Sequence, residues 1–358
     1  MRPLKIIHIP YNNTPYQKLL LDNLKMFGLS IEYGRIVRFP NFGDISVLSN
    51  FIRDSRVDIL HLHWQHPFLL GSSKIRTILR SLSFICQLLF IKACGKKLVW
   101  TVHNLKNHEN KHINLELFFA KQIARFADAI IVHCESAKWQ VQRVFRVSKQ
   151  EKIFVIPHGS YLDVYENGVS PNEVKKQLNL PSSDLTYLFL GHIRPYKGLQ
   201  ELIDAFRKLN NKKTKLLIAG TAENRRFNNL LKKQTEDQSN IRLIPRRIAD
   251  DEIQIYMNAA DIMVLPYREI LTSGAAILGM SFGKTIIAPN LGCLPDILDS
   301  SGAFLYDPSE RDGLLNAMRR AMASRARIGE MGSYNLGLAK KLDWRNIAYS
   351  TYEVYKRC

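Results

Sequence analysis

Two basic residues stand in a short segment between an apolar run and a helical pattern. The run Tyr187–Leu190 leads into Gly191, and Arg194 and Lys197 follow three residues apart, just before Gly198. A strand, a turn and a helix N-terminus in this order offer free backbone N–H groups and the positive end of a helix dipole. A guanidinium and an ammonium placed there suit the oxygens of a diphosphate. The alternative is an exposed helix-start lysine beside an arginine that pairs with a carboxylate.

A second segment, Leu271–Gly274, has the sequence LTSG and follows another buried strand pattern. Thr272 and Ser273 are good helix caps, and small residues leave backbone N–H groups open to an anion. Glu269 stands just before them, where its carboxylate can accept hydrogen bonds from sugar hydroxyls. Ordinary N-capping explains Thr272 or Ser273, but it does not explain Glu269 and Gly274 together.

Histidines recur at the ends of strand patterns in the first half of the chain. His103 and Asn104 end the stretch VWTVHNL, and His61–Trp64 ends an earlier one. His-x-His can ligate zinc, so a metal site has to be considered among His61, His63, His66, His103 and His108. Because no carboxylate or cysteine stands at ligand spacing, we expect no metal here.

The chain carries a net charge of +19, from 51 Lys and Arg against 32 Asp and Glu. This excess suits an anionic partner, namely nucleic acid, a phosphorylated ligand or an acidic membrane surface; the alternative is a basic enzyme with no polyanion partner. The cations are spread among the helices, without aromatic and basic clustering or a nucleic-acid motif, so we expect no nucleic acid.

Five cysteines, odd in number and without a C-x-x-C pair, indicate neither a disulfide framework nor a zinc site. The first apolar run is too short for the core of a signal peptide, so we expect a reducing, cytoplasmic location.

The segment Lys74–Lys97 is apolar in its centre and basic at its ends. Its uncharged part, Ser81–Ile91, has 11 residues, whereas about 20 are needed to span a bilayer. It can lie in a membrane interface with its basic ends on anionic headgroups, or it can be a buried helix of an α/β domain. Both interpretations stay open at this point.

Short apolar runs alternate with helical patterns along the whole chain. Strands buried on both faces that alternate with helices indicate parallel sheets built of βαβ units, and ten strands indicate two such sheets. The predicted strands are Leu4–Ile9, Val57–Leu62, Lys97–Val102, Asp128–Val132, Lys152–Ile156, Thr186–Leu190, Lys215–Ala219, Ile241–Ile244, Asp261–Leu265 and Thr285–Ala288. Proline and glycine in Ile156–Asp184 place the domain boundary near residue 165.

In their order, these segments resemble the nucleotide-sugar half of the GT-B glycosyltransferases, most closely glycosyltransferase family 4. The matching stretches are Gly191–Gly198, Lys215–Gly220, Ile244–Pro266 and Gly283–Pro289. The resemblance implies an α/β fold of two Rossmann-like, doubly wound parallel-sheet domains facing a central cleft. It also implies an acceptor domain at 1–165, a nucleotide-sugar domain at 166–341 and a final helix, 342–358, that crosses back to the first domain.

The same resemblance implies roles for individual residues. His103 would reach the transferred sugar, with Asn104 in place of the family's usual aspartate, and the implied catalytic set is His103, Arg194, Lys197 and Glu269. The implied donor-binding set is Gly191, Arg194, Lys197, Arg247, Ile248, Glu269, Thr272, Ser273 and Gly274. The family has two glutamates separated by seven residues, and Leu278 stands where the second, which grips the ribose, is expected.

The implied activity is transfer of a sugar from a UDP- or GDP-sugar to a hydroxyl of a glycan or lipid-linked glycan in cell-surface polysaccharide or glycolipid assembly. No Asp-x-Asp occurs in the chain, so we expect a hexosyltransferase-type enzyme that needs no metal or other cofactor. Peripheral contact with the anionic inner face of the plasma membrane is a further expectation. The alternatives are a nucleotide-sugar epimerase or phosphorylase on the same fold, and a non-catalytic partner protein that binds nucleotide sugars.

Overall fold

The chain forms two compact units. The computed structural model describes residues 2–34, 36–39, 43–44, 46–222 and 224–358. The first unit takes the residues up to His158 together with Trp344–Cys358, and the second takes Gly159–Asp343. The divisions thus lie a few residues from the sequence-based bounds at 165 and 341.

The first unit is built on a six-stranded parallel sheet of order β2-β1-β5-β6-β7-β8. Its strands are β1 (Lys5–Ile9), β2 (Ser30–Tyr33), β5 (Ile59–Leu62), β6 (Lys97–Thr101), β7 (Ala129–Val132) and β8 (Ile153–Val155), with a separate antiparallel pair of β3 (Arg38–Phe39) and β4 (Gly43–Asp44). Its helices are α1 (Pro15–Lys25), α2 (Ser46–Arg53), α3 (His66–Leu69), α4 (Lys74–Ala93), α5 (Ile113–Phe126), α6 (Glu135–Phe145) and, from the end of the chain, α15 (Trp344–Arg357).

The second unit repeats this plan with a parallel sheet of order β11-β10-β9-β12-β13-β14. Its strands are β9 (Leu185–Leu190), β10 (Thr214–Ala219), β11 (Ile241–Ile244), β12 (Ile262–Val264), β13 (Thr285–Pro289) and β14 (Ala303–Tyr306). Its helices are α7 (Pro171–Gln177), α8 (Leu199–Leu209), α9 (Arg225–Thr235), α10 (Ile253–Ala259), α11 (Gly274–Ser281), α12 (Leu294–Ile297), α13 (Gly313–Ala323) and α14 (Ile328–Lys341).

The helix ends follow from local sequence signals. The Thr14 hydroxyl accepts a hydrogen bond from a backbone N–H of the first turn of α1, and Pro15 fills its first position. Ser170 and Glu173 form a reciprocal capping box at the start of α7. Such caps satisfy N–H groups that have no partner inside the helix.

An aspartate directly before a strand fixes the amino end of the neighbouring strand at three places. The pairs are Lys5 N to Asp58 Oδ2 at 2.9 Å, Leu98 N to Asp128 Oδ2 at 2.8 Å, and Thr186 N to Asp261 Oδ2 at 2.7 Å. Backbone donors at the amino edges of both sheets are thereby satisfied, which leaves the carboxyl edges for ligand chemistry.

The prediction of an α/β protein with two parallel sheets is confirmed, and each of the ten predicted strands is present with its ends within two residues. The helical face predicted from Leu199 to Leu209 is buried in α8. The prediction misses β2 and β14, which are edge strands with half-buried positions and so lack a continuous apolar run. It also misses the pair of β3 and β4, whose strands have two residues each.

Helix α4 carries apolar side chains on its exposed face as well as on its buried face. Its buried face includes the polar residues Thr77, Ser81 and Gln87. Its exposed face carries an apolar stripe of Ile75 (71% exposed), Leu79 (59%), Leu82 (49%), Leu89 (44%) and Phe90 (49%). One face of α4 is therefore packed against the first unit, and the other is apolar and exposed; the contact with a membrane stays a prediction. Among the described residues, the structure has no helix with the length and apolar character to cross a membrane.

We expect Asp261→Ala to destabilise the second unit by about 3 kcal/mol, because it leaves a buried ammonium without its carboxylate. The Lys175 side chain is 7% exposed, and its Nζ lies 3.1 Å from both carboxylate oxygens of Asp261. Urea denaturation followed by circular dichroism measures the change. Asp312→Ala, which removes the exposed pair with Lys208, is the control and leaves the midpoint unchanged. Equal midpoints for both variants would contradict this role of Asp261.

Candidate functional site

A cavity of about 570 Å³ opens at the carboxyl edge of the second sheet. We call it the donor cavity, because four residues that the sequence resemblance predicts to bind the donor line it. Gly191, Gly220 and Gly274 line it where β9 and β10 end and α11 begins. Tyr161, Tyr165, Arg247, Ile248 and Leu278 are among the residues that line the rest of it. A parallel sheet binds ligands at this edge because its loops and helix N-termini converge there.

Two glycines at the donor cavity come into backbone contact. Gly191 and Gly220 have φ values of 145° and 146°, which L side chains rarely adopt. A Cβ atom on Gly220 would lie 1.8 Å from the Gly191 carbonyl oxygen. Since no side chain fits between these backbones, glycine keeps the sheet edge open to a ligand.

Lys197 ends a single 3-10 turn, Pro195–Lys197, and Gly198 follows in the left-handed region with φ 70°. A Cβ on Gly198 would lie 1.8 Å from the Pro266 carbonyl oxygen, so the turn packs directly on the loop after β12. This contact holds the backbone next to Lys197 against that loop.

The half-buried Lys197 ammonium lies over two aromatic rings. Its Nζ is 4.1 Å from the centre of the Tyr267 ring and 5.1 Å from that of Tyr196. Burial lowers the pKa of Lys197, and the nearby charge of Arg194 lowers it further. Within the described part of the chain, no Asp or Glu forms an ion pair with Lys197. An aromatic contact without a carboxylate leaves this cation available to an anionic ligand.

The start of α11 connects Lys197 to the donor cavity. The Tyr267 hydroxyl lies 3.3 Å from Ser273 Oγ, and Ser273 Oγ in turn accepts from Ala276 N at 3.2 Å as the helix cap. Gly274, the first residue of the helix, lines the cavity. Backbone N–H groups at this end of α11 therefore lie beside the cavity, as anion binding requires.

The structure divides the predicted donor-binding set. Gly191, Arg247, Ile248 and Gly274 line the donor cavity, whereas Arg194, Lys197, Glu269, Thr272 and Ser273 do not. Glu269 is exposed in the loop after β12. The sequence interpretation missed Tyr161 and Tyr165, which it assigned to a linker, and also missed His192, Gly220 and Thr221.

The end of the cavity formed by Tyr161, Tyr165 and Leu278 is apolar and aromatic. The two tyrosine rings lie 5.9 Å apart, and Tyr161 N donates to Ser281 Oγ of α11 at 2.9 Å. Leu278, which stands where the resemblance leads one to expect a glutamate, presents an apolar side chain to the cavity. This wall can contact a base or a sugar ring, but it offers no carboxylate at Leu278.

Five buried histidines, which we call the histidine row, follow the sheet of the first unit: His8, His61, His63, His103 and His133. None of them is more than 7% exposed. The His103 ring stacks on Trp64 at 4.6 Å and meets the Tyr16 ring edge-on at 5.1 Å. Burial lowers the pKa of every member of the row, so the imidazoles are uncharged near neutral pH.

The histidines that the sequence suggested as possible metal ligands separate in the structure. His61, His63 and His103 belong to the row, while the His66 ring contacts Glu116. His8, which the sequence interpretation did not include, lies with His61 and His63 so that one ring nitrogen of each falls within 4.8 Å of the others. This spacing is short enough for one metal ion as well as for direct hydrogen bonds.

Two protein-family models match the chain. The model described as "Glycosyl transferases group 1" matches residues 171–335, and the one described as "Glycosyltransferase Family 4" matches 31–163. Among characterised relatives, the chain is 24% identical over 307 residues to a GDP-mannose:glycolipid 4-beta-D-mannosyltransferase of Xanthomonas campestris pv. campestris, covering 84% of this chain and 80% of that protein. It is 23% identical to a lipopolysaccharide 1,2-N-acetylglucosaminetransferase of Salmonella typhimurium, covering 57% of this chain and 56% of that one.

Solved structures share the fold at low sequence identity. Sucrose-phosphate synthase from Thermosynechococcus elongatus superposes with a TM-score of 0.78 at 18% identity, covering 99% of this chain and 98% of that one. Anabaena Alr3699/HepE in complex with UDP-glucose gives 0.76 at 16% identity, covering 99% and 100%.

We expect the pKa of Lys197 to lie below the usual value for lysine, because burial disfavours the charged form. A bound nucleoside diphosphate should raise this pKa again, because a neighbouring anion favours the charged form. Nuclear magnetic resonance of ¹³C-dimethylated lysines measures both titrations. Loss of one signal in Lys197→Arg assigns that signal to Lys197. A Lys197 signal whose pKa does not change with UDP or GDP would contradict the assignment of an anion site.

Proposed function

The chain belongs to the GT-B glycosyltransferases, and on that premise we propose that it transfers a sugar from a nucleoside diphosphate to a hydroxyl group of a glycan or glycolipid. The observation that carries the donor assignment is the Lys197 ammonium, held over Tyr267 without a carboxylate beside a glycine-lined cavity. The glycolipid in the printed name of the Xanthomonas relative supports the acceptor class. Nothing in the family matches favours an epimerase, a phosphorylase or a non-catalytic binder.

The donor's parts match the two ends of the donor cavity. Its base would lie against Arg247 and Ile248, near Tyr161 and Tyr165. Its diphosphate would extend past Gly191 and Gly220 to the start of α11 and to Lys197. Arg194, next to this turn, would add a second cation. Leu278 would contact the ribose through apolar atoms, so the ribose hydroxyls would be bound by other groups.

The leaving group would be stabilised by the chain's own cations. As the bond to the sugar breaks, negative charge builds up on the diphosphate, and preorganised donors at that position lower the barrier. Lys197, Arg194 and the N–H groups of α11 would supply this stabilisation, so we propose that no metal is needed. Glu269, exposed in the loop before α11, would bind a hydroxyl of the transferred sugar.

His103 would act on the acceptor. An uncharged imidazole can take the proton of an attacking hydroxyl, and burial holds the pKa of His103 well below its usual value. Trp64, stacked on this ring, would offer an aromatic surface to a sugar.

The apolar stripe of α4 would bind an anionic lipid surface. Ile75, Leu79, Leu82 and Leu89 lie one or two helical turns apart, and Phe90 follows Leu89. The cations Lys74, Arg76 and Lys96 stand at the two ends. Exposed apolar contacts flanked by cations are the combination by which helices lie in a membrane interface. A glycolipid acceptor would then be reached at the surface that holds it, and we propose the inner face of the plasma membrane as that surface.

We expect Lys197→Ala and Arg194→Ala each to slow release of UDP or GDP from the preferred sugar donor by about a hundredfold or more, the scale for one transition-state charge stabiliser. The preferred donor is found by assaying wild-type protein against a panel of UDP- and GDP-sugars. Lys232→Ala, an exposed lysine of the same unit, should retain full activity, and so should wild-type protein in a metal chelator. Unchanged rates in both Lys197→Ala and Arg194→Ala would refute the assignment of these residues to the diphosphate.

Sedimentation with lipid vesicles tests the apolar stripe. Wild-type protein should bind phosphatidylglycerol vesicles at low salt and bind phosphatidylcholine vesicles weakly. Replacing Leu79 and Leu82 together by Glu should weaken binding about tenfold or more, because two apolar contacts are lost and two negative charges are added. Leu230→Glu is the matched control, since Leu230 is an exposed leucine (41%) of the second unit. Equal binding by both variants would locate the membrane contact elsewhere.

A further inference from the structure

The hydrogen bonds of the histidine row form one continuous chain that ends on a backbone carbonyl. In order, the contacts are Thr101 Oγ1 to His61 Nε2 (2.7 Å), His61 Nδ1 to Tyr355 Oη (2.6 Å), Tyr355 Oη to His8 Nε2 (3.4 Å), His8 Nδ1 to His63 Nε2 (2.9 Å), His63 Nδ1 to His103 Nε2 (3.4 Å), His103 Nδ1 to His133 Nε2 (3.4 Å) and His133 Nδ1 to the Ile156 oxygen (2.9 Å).

The carbonyl at the end determines where the protons lie. The Ile156 oxygen can only accept, so His133 must carry its proton on Nδ1. An uncharged imidazole has one N–H, and His133 Nε2 is therefore an acceptor that requires a proton on His103 Nδ1. By the same reasoning, His103 Nε2 accepts from Nδ1–H of His63, and His63 Nε2 accepts from Nδ1–H of His8.

The other end of the hydrogen-bond chain, at Thr101, is consistent with this direction of proton donation. His8 Nε2 becomes an acceptor, and the Tyr355 hydroxyl donates to it. The oxygen of Tyr355 accepts from His61 Nδ1–H, and the Thr101 hydroxyl donates to His61 Nε2. Every link then has one donor and one acceptor, with all five imidazoles uncharged and all five protonated on Nδ1.

Hydrogen bonding accounts for these nitrogens without a shared metal ion. Each of the six ring nitrogens of His8, His61 and His63 has a partner in the chain. The 2.9 Å between His8 Nδ1 and His63 Nε2 is a hydrogen-bond distance. It is shorter than the separation of about 3.3 Å between two ligand nitrogens on a tetrahedral zinc with bonds of about 2.0 Å.

We propose that His133, fixed by the Ile156 carbonyl, is the positioning residue that holds His103 as its Nδ1–H tautomer and directs His103 Nε2 to the acceptor hydroxyl. This inference rests on the proposed function, because it takes His103 as the base. An attacking hydroxyl would replace the 3.4 Å contact of His63 at His103 Nε2, while the contact of equal length between His103 Nδ1 and His133 Nε2 would stay in place.

The proton then has a defined route. The hydroxyl's O–H bond breaks as an N–H bond forms on His103 Nε2. The oxygen forms its new bond to the sugar as the bond between the sugar and the diphosphate breaks, and the nucleoside diphosphate leaves with that electron pair. The proton on His103 Nδ1 is shared with His133 Nε2 or passes to it, while His133 Nδ1–H stays on the Ile156 carbonyl. Positive charge is thus spread over two rings. The carbonyl supports the charged form of His133, whose pKa is lowered by burial only to about 4, while that of His103 is lowered well below its usual value. The orientation of a catalytic imidazole by a fixed acceptor at its Nδ1–H is the arrangement found in catalytic triads.

Long-range ¹H–¹⁵N spectra of the histidine-labelled, full-length protein test the tautomers without any substrate. We expect Nδ1–H signatures for all five members of the row. His133→Phe should release His103 to the Nε2–H form and lower kcat roughly tenfold to hundredfold with the donor KM unchanged. His133→Gln should restore both properties in large part, because its amide can accept from His103 and donate to Ile156.

Tyr355→Phe is the directional control. It breaks the chain at the opposite end, so His103 should keep its Nδ1–H form and the enzyme its kcat. An Nε2–H form of His103 in the wild-type protein would overturn the proposal, and so would one equivalent of bound zinc whose removal changes the row. A wild-type Nδ1–H pattern that His133→Phe leaves intact at His103 would also overturn it. If the tautomers are as expected but no sugar donor is turned over, the proposed function fails and the hydrogen-bond chain stands.

Discussion

The contact between the backbones of Gly191 and Gly220 sets the geometry of the second unit's ligand-binding edge. The register of β9 and β10 pairs Leu190 with Ala219, so the next residue of each strand must lie side by side. A Cβ on Gly220 would overlap the Gly191 carbonyl oxygen, and the φ of 145° at Gly191 is one that L side chains rarely adopt. With glycine at both positions, the two loops leave the sheet close together, and the space above them becomes the donor cavity. The turn that carries Lys197 follows one of these loops, and the start of α11 lines the same cavity.

The register of the first sheet explains the histidine row in the same way. His8 pairs with His61 across β1 and β5, and the pairing of Thr101 with Ile131 puts His103 and His133 at equivalent positions beyond β6 and β7. Side chains two residues apart point to the same face, which adds His63. Parallel pairing therefore brings together rings that are separated by up to about 125 residues in the chain. Tyr355 reaches them from α15, at the far end of the sequence.

Local patterns in the sequence were sufficient for ten of the strands, for α8 and for the turn with Arg194 and Lys197, because each depends on residues close together in the chain. The row was not predictable as a unit, since the sequence does not give the order of strands in a sheet. His8 in particular lies inside an apolar strand, KIIHI, and looks like a core residue there. One signal was present: histidines stand at or just past the ends of successive predicted strands. Tyr161 and Tyr165 carried no comparable signal, because they lie between regular elements.

Burial has opposite consequences for the two kinds of group assigned to the reaction. A base must be uncharged to accept a proton, and burial without a carboxylate keeps the histidine row uncharged near neutral pH. A clamp for a diphosphate must be charged, and burial works against the ammonium of Lys197. The ring of Tyr267 offsets part of that cost, and a bound diphosphate would offset the rest. A bound anion would therefore stabilise the charged form of Lys197.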